Sequence, residues 1–302
     1  MKKVVIIGCG NVGMSYAYAL LNQRTSLNEL VLIDLDMERV KGEVMDLNHC
    51  LAFSPTHINI KEGKYSDCKD ASIVMIAAGA NQGPGETRMD LINKNSKIFK
   101  QIVGSVMESG FDGIFLIATN PLDVMTHLTW KYSGLPTNKI IGSGTTLDTA
   151  RLRYLVGDKV NIGPKNVHAY VIGEHGDSEF VPWSNSTIGL QKIDTFLTEE
   201  EREEIYEEVK NAAYEIINRK GATYYGIGMC LVRITNAIFE DENAVMTVST
   251  YDNENDIFIG LPSIVSKEGV ERRIYLDLIK EEEHKLQNSV NVIKEALSEV
   301  EE

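Results

Sequence analysis

The run Val4-Val5-Ile6-Ile7 leads without a spacer into Gly8-Cys9-Gly10-Asn11-Val12-Gly13, and helical spacing follows over residues 12–21. An apolar β-branched run, a glycine turn and a helix in that order leave few folds open, because each glycine answers a separate steric demand. Gly8 permits the tight turn. Gly10 lets backbone amides approach a phosphate with no Cβ in the way, and Gly13 allows the helix to pack closely on its strand. The N-terminus of that helix then favours negative charge at the turn. A second apolar run ends Val31-Leu32-Ile33-Asp34. Its carboxylate stands about twenty residues beyond the glycines, where an acid can accept hydrogen bonds from ribose hydroxyls. An acid there repels a 2′-phosphate, so the pattern favours NAD over NADP as cofactor.

The first half continues the alternation. Residues 3–7, 29–34, 73–77 and 113–118, with a shorter run at 139–141, predict strands, and residues 12–21, 37–48 and 89–108 carry helical spacing. Strand runs that are apolar throughout and separated by helices specify a parallel sheet covered on both faces. The fold class is therefore α/β, with a Rossmann-type doubly wound parallel sheet over residues 1–142. From Ser143 onward the pattern changes. Residues 146–155 and 199–220 predict helices, the second ending at Gly221. Residues 244–251, 257–266 and 270–276 alternate like antiparallel strands joined by turns at 252–256 and 267–269. A last helix places Ile279, Leu286, Val290, Ile293 and Leu297 on one stripe. Residues 143–302 thus read as a second α+β substrate domain. With no repeat, linker or low-complexity segment between them, the two halves should share a tight interface.

Composition excludes several functions. Thirty Lys and Arg against 44 Asp and Glu give a net charge of −14, and the bases are scattered, so neither nucleic acid nor an anionic membrane surface is expected as a partner. No window approaches the eighteen or so apolar residues of a membrane span. Met1-Lys2-Lys3 and the apolar run behind it are cut short by Gly8-Cys9-Gly10, which suits a buried strand better than an export signal. Cys9, Cys50, Cys68 and Cys230 form neither a CxxC pair nor a zinc spacing. Reduced thiols, a cytoplasmic location and no metal site are the expectations.

Three segments carry functional groups where a core would not want them. Residues 79–88, Gly-Ala-Asn-Gln-Gly-Pro-Gly-Glu-Thr-Arg, form a glycine-rich loop with one cation, Arg88, at its far end. Such a loop could close over a substrate and exclude water. Asp148-Thr149-Ala150-Arg151 sets a carboxylate and a guanidinium three apart on one helix face. Gly173-Glu174-His175-Gly176-Asp177 holds a histidine between glycines just after an apolar run. Hydride reduction of a 2-oxo acid needs a proton donor, a partner for that donor, a carboxylate anchor and a cation beside the carbonyl. His175, Asp148, Arg151 and Arg88 would supply one of each.

Over essentially its whole length the chain resembles the lactate/malate dehydrogenase family, and within it the bacterial-type L-lactate dehydrogenases. The likeness is carried by Gly8–Gly13, Met45-Asp46-Leu47-Asn48-His49, the segment from Gln82 to Arg88, Ala118-Thr119-Asn120-Pro121, Asp148–Arg151, Gly173–Asp177 and Gly221-Ala222-Thr223-Tyr224-Tyr225-Gly226. The resemblance implies His175 as acid/base, Asp148 as its partner, Arg151 on the substrate carboxylate and Arg88 on the carbonyl. Asn120 and Thr223 would line the pocket. Beyond the glycines, cofactor contacts are implied at Val12, Asp34, Arg39, Tyr65, Gly79, Ala80, Ala118, Thr119, Asn120 and Ser143. Substrate choice rests on Gln82, which matches an arginine of the malate branch. A neutral glutamine leaves the second carboxylate of oxaloacetate buried and unpaired, and admits the methyl of pyruvate. Asn81 and Gly83 depart from the proline and lysine associated with this loop, so the longer acids of 2-hydroxyisocaproate dehydrogenases stay admissible. Malate dehydrogenase, and a non-catalytic NAD-binding protein on the same scaffold, are the other readings. Gln82 opposes the first, and the retention of His175 and Arg151 opposes the second.

The same resemblance matches Arg153 and His168 to a pair that binds fructose 1,6-bisphosphate at a subunit interface in bacterial relatives. Their charges would repel across a twofold axis until a phosphate neutralised them. The family is usually tetrameric, so a homotetramer that leans on this interface is expected.

Overall fold

The computed structural model describes residues 2–80 and 88–300, Arg88 by its backbone alone. In β1 (Lys3–Ile7), Val4 and Ile6 face one side of a sheet while Val5 and Ile7 face the other, and all four are buried. The same two-sided burial recurs in β2 (Glu29–Ile33), which follows α1 (Asn11–Asn22). After α2 (Met37–Cys50) and β3 (Asn59–Glu62) it recurs again in β4 (Ile73–Ile76) and, beyond α3 (Arg88–Glu108), in β5 (Ile114–Ile117). Strands buried on both faces need helices on both faces, which only parallel strands with helical crossovers provide. Then α4 (Leu122–Ser133) and β6 (Ile140–Gly142) complete the first half.

The second half runs α5 (Thr146–Lys159), β7 (Val167–His168), β8 (Thr187–Ile188), β9 (Gln191–Lys192), α6 (Glu199–Lys220), α7 (Tyr225–Phe239), β10 (Ala244–Asp252), β11 (Ile257–Ser266), β12 (Gly269–Arg273) and α8 (Lys280–Ser298). One nine-stranded sheet has the order β12-β11-β10-β6-β5-β4-β1-β2-β3, and β7, β8 and β9 form a small antiparallel sheet. The parallel part, read 3-2-1-4-5-6, is the doubly wound dinucleotide-binding order. The antiparallel strands are continuous with it. β10 pairs with β6 through Ser249 opposite Gly142, and a Cβ on Gly142 would overlap the Thr126 hydroxyl and stand 2.7 Å from the Ser249 Cβ. A glycine at the seam lets the two strand systems meet.

α1, α2 and α7 cover one face, and α3, α4 and α8 pack on the other. The first layer closes where the Tyr16 hydroxyl of α1 meets the Thr235 hydroxyl of α7 at 2.6 Å, both buried. A third apolar cluster (Leu152, Val156, Val171, Ile205 and Val209 among others) holds α5 and α6 to the segment around β7. α6 has the predicted bounds because both ends are specified locally. Thr198 and Glu201 form a reciprocal cap, and Gly221 stops the helix at φ +84°. No helix among the described residues is long and apolar enough to cross a membrane, and all four cysteines are free.

Two helices were not anticipated from the sequence. α4 buries nearly every residue of its first two turns, and α7 is apolar on most sides and rich in β-branched residues. α4 lacks the one-sided polar stripe by which amphipathic helices are read, and the exposed stripe of α7 carries Tyr225 and Met229, which do not mark it as polar. The edge strand β3 and the two-residue strands β7, β8 and β9 were likewise unassigned, and the strand expected over 270–276 ends at Arg273.

Candidate active site

The sequence-predicted cofactor residues collect at the carboxyl ends of β1, β2, β4, β5 and β6, the edge where doubly wound sheets bind ligands. Gly8 has φ +102°, and a Cβ there would stand 2.5 Å from Ala78 N, so only glycine fits the turn. A Cβ on Gly13 would overlap the Gly8 carbonyl oxygen. A Cβ on Gly10, by contrast, would meet nothing within 4 Å, which leaves a space over the turn at the N-terminus of α1 for a pyrophosphate. Asp34 follows β2 and is tied to this turn: Cys9 N–H donates to its Oδ2 at 2.7 Å, and Asp36 N–H to its Oδ1 at 3.2 Å. Each oxygen keeps a further lone pair, so the carboxylate can hold the turn and still accept from a ribose. These residues fit the dinucleotide expected from the sequence.

Around them, Val12 packs on the core from α1, Arg39 is exposed on α2, and Tyr65 is half-buried on a short 3-10 helix. Gly79 and Thr119 touch closely, since a Cβ on Gly79 would lie 2.6 Å from Thr119 Cγ2, and the Thr119 hydroxyl donates to Ala78 O at 2.8 Å. Ala118 and Ser143 continue the hydrogen bonding of β5 and β6 through their N–H groups, to Ile76 O and Ile117 O. Ala80 N–H donates to the Asn95 side chain at 2.8 Å, and the amide of Asn95 donates to Asn120 O at 3.0 Å. Asn95 on α3 is fully buried and clamps two site segments together.

The second half brings His175 to the same edge. His175 Nδ1 lies 2.8 Å from Asp148 Oδ2, and Arg151 Nη1 donates to Asp148 Oδ1 at 2.7 Å. Asp148 and Arg151 are both on α5, one turn apart, so a single carboxylate carries a histidine on one oxygen and a guanidinium on the other. Asp123, in the first turn of α4, accepts the His175 N–H at 2.8 Å and the Ser249 hydroxyl at 2.5 Å. Asn120 is three residues before it, so the histidine backbone is fastened beside the cofactor edge. Thr223 lies in the short connection between α6 and α7, half-buried. Gln82, with Asn81 and Gly83, lies outside the described residues. Arg88 begins α3, and the predicted role of its side chain falls outside the description.

Electrostatics follow from burial and pairing. Burial raises the Asp148 carboxyl, but the charge and hydrogen bond of His175, with Arg151, outweigh it and hold it below the usual carboxylate range. Burial disfavours a charged His175. The Asp148 charge and hydrogen bond overcome that, with any negative charge on Glu179 and that on Asp123 adding to them, and push the imidazole up from 6.5 to about 9. Burial pushes Asp123 up to about 6, against the bonds it accepts from Ser249 and His175. Glu179 was not singled out from the sequence. It is 4% exposed, its Oε2 is 3.8 Å from His175 Nδ1, and burial together with the Asp148 charge pushes it well above 4.5. His175, Asp148 and Glu179 offer ligand atoms within 4.8 Å of one another, yet Arg151 already places positive charge on the shared carboxylate where a cation would compete. Among the described residues, then, the centre can hold a proton on an imidazole, anchor an anion on a guanidinium, and do both beside a nucleotide turn.

Arg153 and His168 are also neighbours. Arg153 Nε donates to Ala169 O at 3.0 Å, its guanidinium stacks 4.6 Å from the Tyr170 ring centroid, and His168 is exposed on β7.

The whole chain also resembles known proteins. Residues 2–142 match the family model of the lactate/malate dehydrogenase NAD binding domain, and residues 145–302 that of the lactate/malate dehydrogenase alpha/beta C-terminal domain. The chain is 52% identical over 310 residues to L-lactate dehydrogenase 2 of Bacillus anthracis, covering 99% of this chain and 98% of that protein. It superposes with a TM-score of 0.97 on a lactate dehydrogenase enzyme from a Medee basin deep-sea metagenome library, at 50% identity over 99% of this chain and 98% of the other. The minor L-lactate dehydrogenase of Enterococcus mundtii gives 0.97 in its ligands-bound form, at 47% identity over 99% and 98% of the two chains. Its ligands-unbound form gives 0.91, at 45% identity over 100% and 98%. On these grounds the chain belongs to the lactate/malate dehydrogenase family of NAD-dependent hydroxy-acid oxidoreductases.

Proposed function

We propose that this protein is an L-lactate dehydrogenase that interconverts pyruvate and L-lactate. The observation that carries the proposal is the joined Arg151–Asp148–His175 group, fastened through Asp123 to the edge where the dinucleotide residues gather. NADH, when bound along that edge, would supply hydride for the carbonyl carbon of pyruvate. The remaining tasks fall to the protein. Asp148 engages His175 at Nδ1, so Nε2 is left to give a proton to the carbonyl oxygen as it gains charge. One hydride and one proton convert the ketone to the alcohol, and the reverse reaction returns both. Arg151 spends one donor on Asp148 and keeps others for the planar fork that matches the substrate carboxylate. Arg88 beside the carbonyl, Gln82 against the substrate methyl, and Asn120 and Thr223 along the pocket complete the reading taken from the family resemblance. The identity to named L-lactate dehydrogenases supports lactate over malate.

The same reading divides the chain into a cofactor half, 1–142, and a substrate half, 143–302, close to the limits of the two family matches. It takes the enzyme as a cytoplasmic homotetramer activated by fructose 1,6-bisphosphate at Arg153 and His168. The nearness of an arginine to an exposed histidine supports that last point.

The test is NADH oxidation with pyruvate, oxaloacetate and 2-oxoisocaproate side by side, with and without fructose 1,6-bisphosphate, at dilute enzyme. Pyruvate should dominate, and the bisphosphate should lower the pyruvate concentration needed for half-saturation. Preference for oxaloacetate or the bulky acid overturns the substrate assignment. Pyruvate curves that do not move between micromolar and millimolar effector remove the regulatory one.

A further inference from the structure

The proton donor, its partner and the anchor account for His175, Asp148 and Arg151, and leave Glu179 without a task. Its position is not that of an ordinary surface acid. It is buried beside the imidazole, with Oε2 3.8 Å from Nδ1, and one of its oxygens lies within 4.8 Å of an Asp148 oxygen. Two carboxylates that close and that dry do not both ionise readily. The charges matter to what can bind. With Glu179 neutral, Asp148 is the one carboxylate shared by His175 and Arg151, and Asp123 adds its charge from the backbone side of the histidine. With Glu179 ionised, an arriving carboxylate meets a further negative group beside the cations meant to hold it.

We propose that Glu179 works as a neutral carboxylic acid and that its ionisation, no less than loss of the proton on His175, closes the site to 2-oxo acid anions. It is a positioning and specificity residue, acting through His175 and Arg151. The inference rests on the reading of those two as proton donor and anchor. Other groups around Glu179 do not cancel the effect. Asp148 and Arg151 face it from α5. Tyr206 on α6 donates its hydroxyl to the Glu179 carbonyl at 2.7 Å, and Cys230 lies on α7. Burial pushes both the Tyr206 phenol and the Cys230 thiol up to about 12, so they stay neutral while Glu179 titrates. Glu174 takes the Ser178 hydroxyl at 2.6 Å, Asp123 is engaged by Ser249, and Asp177 is exposed. From α8, Glu281, His284 and Lys285 share the wall of a shallow cavity of about 350 Å³ with Glu179. None of these removes the negative charge that Glu179 would place beside the anion.

The experiment is binding of oxamate, an unreactive isostere of pyruvate, to the NADH complex. Calorimetry in buffers of different ionisation heat, from pH 6 to 10, counts the protons taken up. If both His175 and Glu179 must be protonated, wild-type uptake exceeds one proton at alkaline pH, and affinity falls towards a hundredfold per pH unit. Glu179→Gln should cap uptake at one proton and the fall at tenfold per unit. Wild-type uptake that never passes one, or a variant that matches wild type, overturns the proposal.

A second readout needs no ligand. An unfolded glutamate ionises near 4.5, whereas burial and the Asp148 charge raise the folded one well above that. Wild-type stability therefore falls as pH rises above 4.5, and the glutamine variant escapes that loss. The difference in Tm between variant and wild type should widen in favour of Glu179→Gln from pH 6 to 9, and a constant difference counts against a neutral Glu179. His175→Asn separates the two readings. Near-normal pyruvate turnover in that variant refutes the proton-donor assignment. Lost turnover together with wild-type uptake of one proton or fewer refutes only the role of Glu179.

Discussion

Replacing Asp148 with asparagine should move the alkaline limit of pyruvate reduction by more than two pH units. In the folded protein His175 titrates near 9 instead of 6.5, and the carboxylate 2.8 Å from Nδ1 is the main favourable cause. A shift of about 2.5 units corresponds to about 3 kcal/mol of preference for the imidazolium, at 1.36 kcal/mol per unit. An amide carries no charge, so His175 should return to 6.5 or below, because its burial still disfavours the cation. At pH 7.5 the wild-type imidazole is almost wholly protonated, whereas a group at 6.5 is protonated in about one molecule in ten. kcat/KM for pyruvate should therefore fall at least tenfold at pH 7.5 from protonation alone. An asparagine that donates to Nδ1 would enlarge the loss by fixing the wrong tautomer. The assay is kcat/KM against pH from 5 to 10 at saturating NADH. Stability should follow with a definite sign. A histidine raised on folding contributes fully below 6.5 and loses that contribution as pH rises through 9. The deficit of Asp148→Asn against wild type should thus be largest between the carboxylate range and 6.5, and shrink both as pH passes 9 and as acid protonates Asp148. An alkaline limit that stays near 9 in the variant would refute Asp148 as the group that holds the proton.

Two further expectations concern the cofactor edge. Gly13→Ala should destabilise the fold, because its methyl meets the Gly8 carbonyl oxygen and lies 3.2 Å from Ile6 Cγ2. Gly10→Ala should keep the Tm and lose NADH affinity, since its methyl meets only the space above the turn. Thermal unfolding with NADH titration distinguishes the pair, and equal Tm losses would contradict the assignment of that space. Asn95→Ala removes a fully buried side chain that holds Ala80 and Asn120. The unfolding free energy should drop by about 1–3 kcal/mol. A drop under about 0.5 kcal/mol in denaturant titration would show that the clamp is not needed.

Much of the fold could be read from the chain because its signals are local. The four buried strands β1, β2, β4 and β5 are uninterrupted apolar runs. α6 announces its ends by Thr198, Glu201 and Gly221, with charge on its open face. α4 could not be read so, because a helix buried on most sides has no polar stripe to give its period, and the exposed stripe of α7 carries Tyr225 and Met229, with Arg233 as its charge. The site divides along the same line. Gly8, Gly13, Asp34, Asp148, Arg151 and His175 belong to short motifs whose chemistry is visible in the spacing. Asn95, Asp123, Glu179 and Ser249 act only through partners brought together by the fold. Asp123 finds Ser249 across 126 positions of chain, and nothing near either residue distinguishes it from a solvated acid or hydroxyl. The continuity of the two strand systems through Ser249 and Gly142 depends likewise on a single pair of residues.

That junction bears on how the molecule can move. Ser249 sits in the seam between the parallel and antiparallel strands, and its hydroxyl is bonded to the carboxylate that holds the His175 backbone. Rotating one half against the other would break a backbone pairing and pull on His175 in the same stroke. The junction therefore resists rotation of the two halves about the sheet, so that motion falls more easily to elements outside the seam than to the strands that carry it.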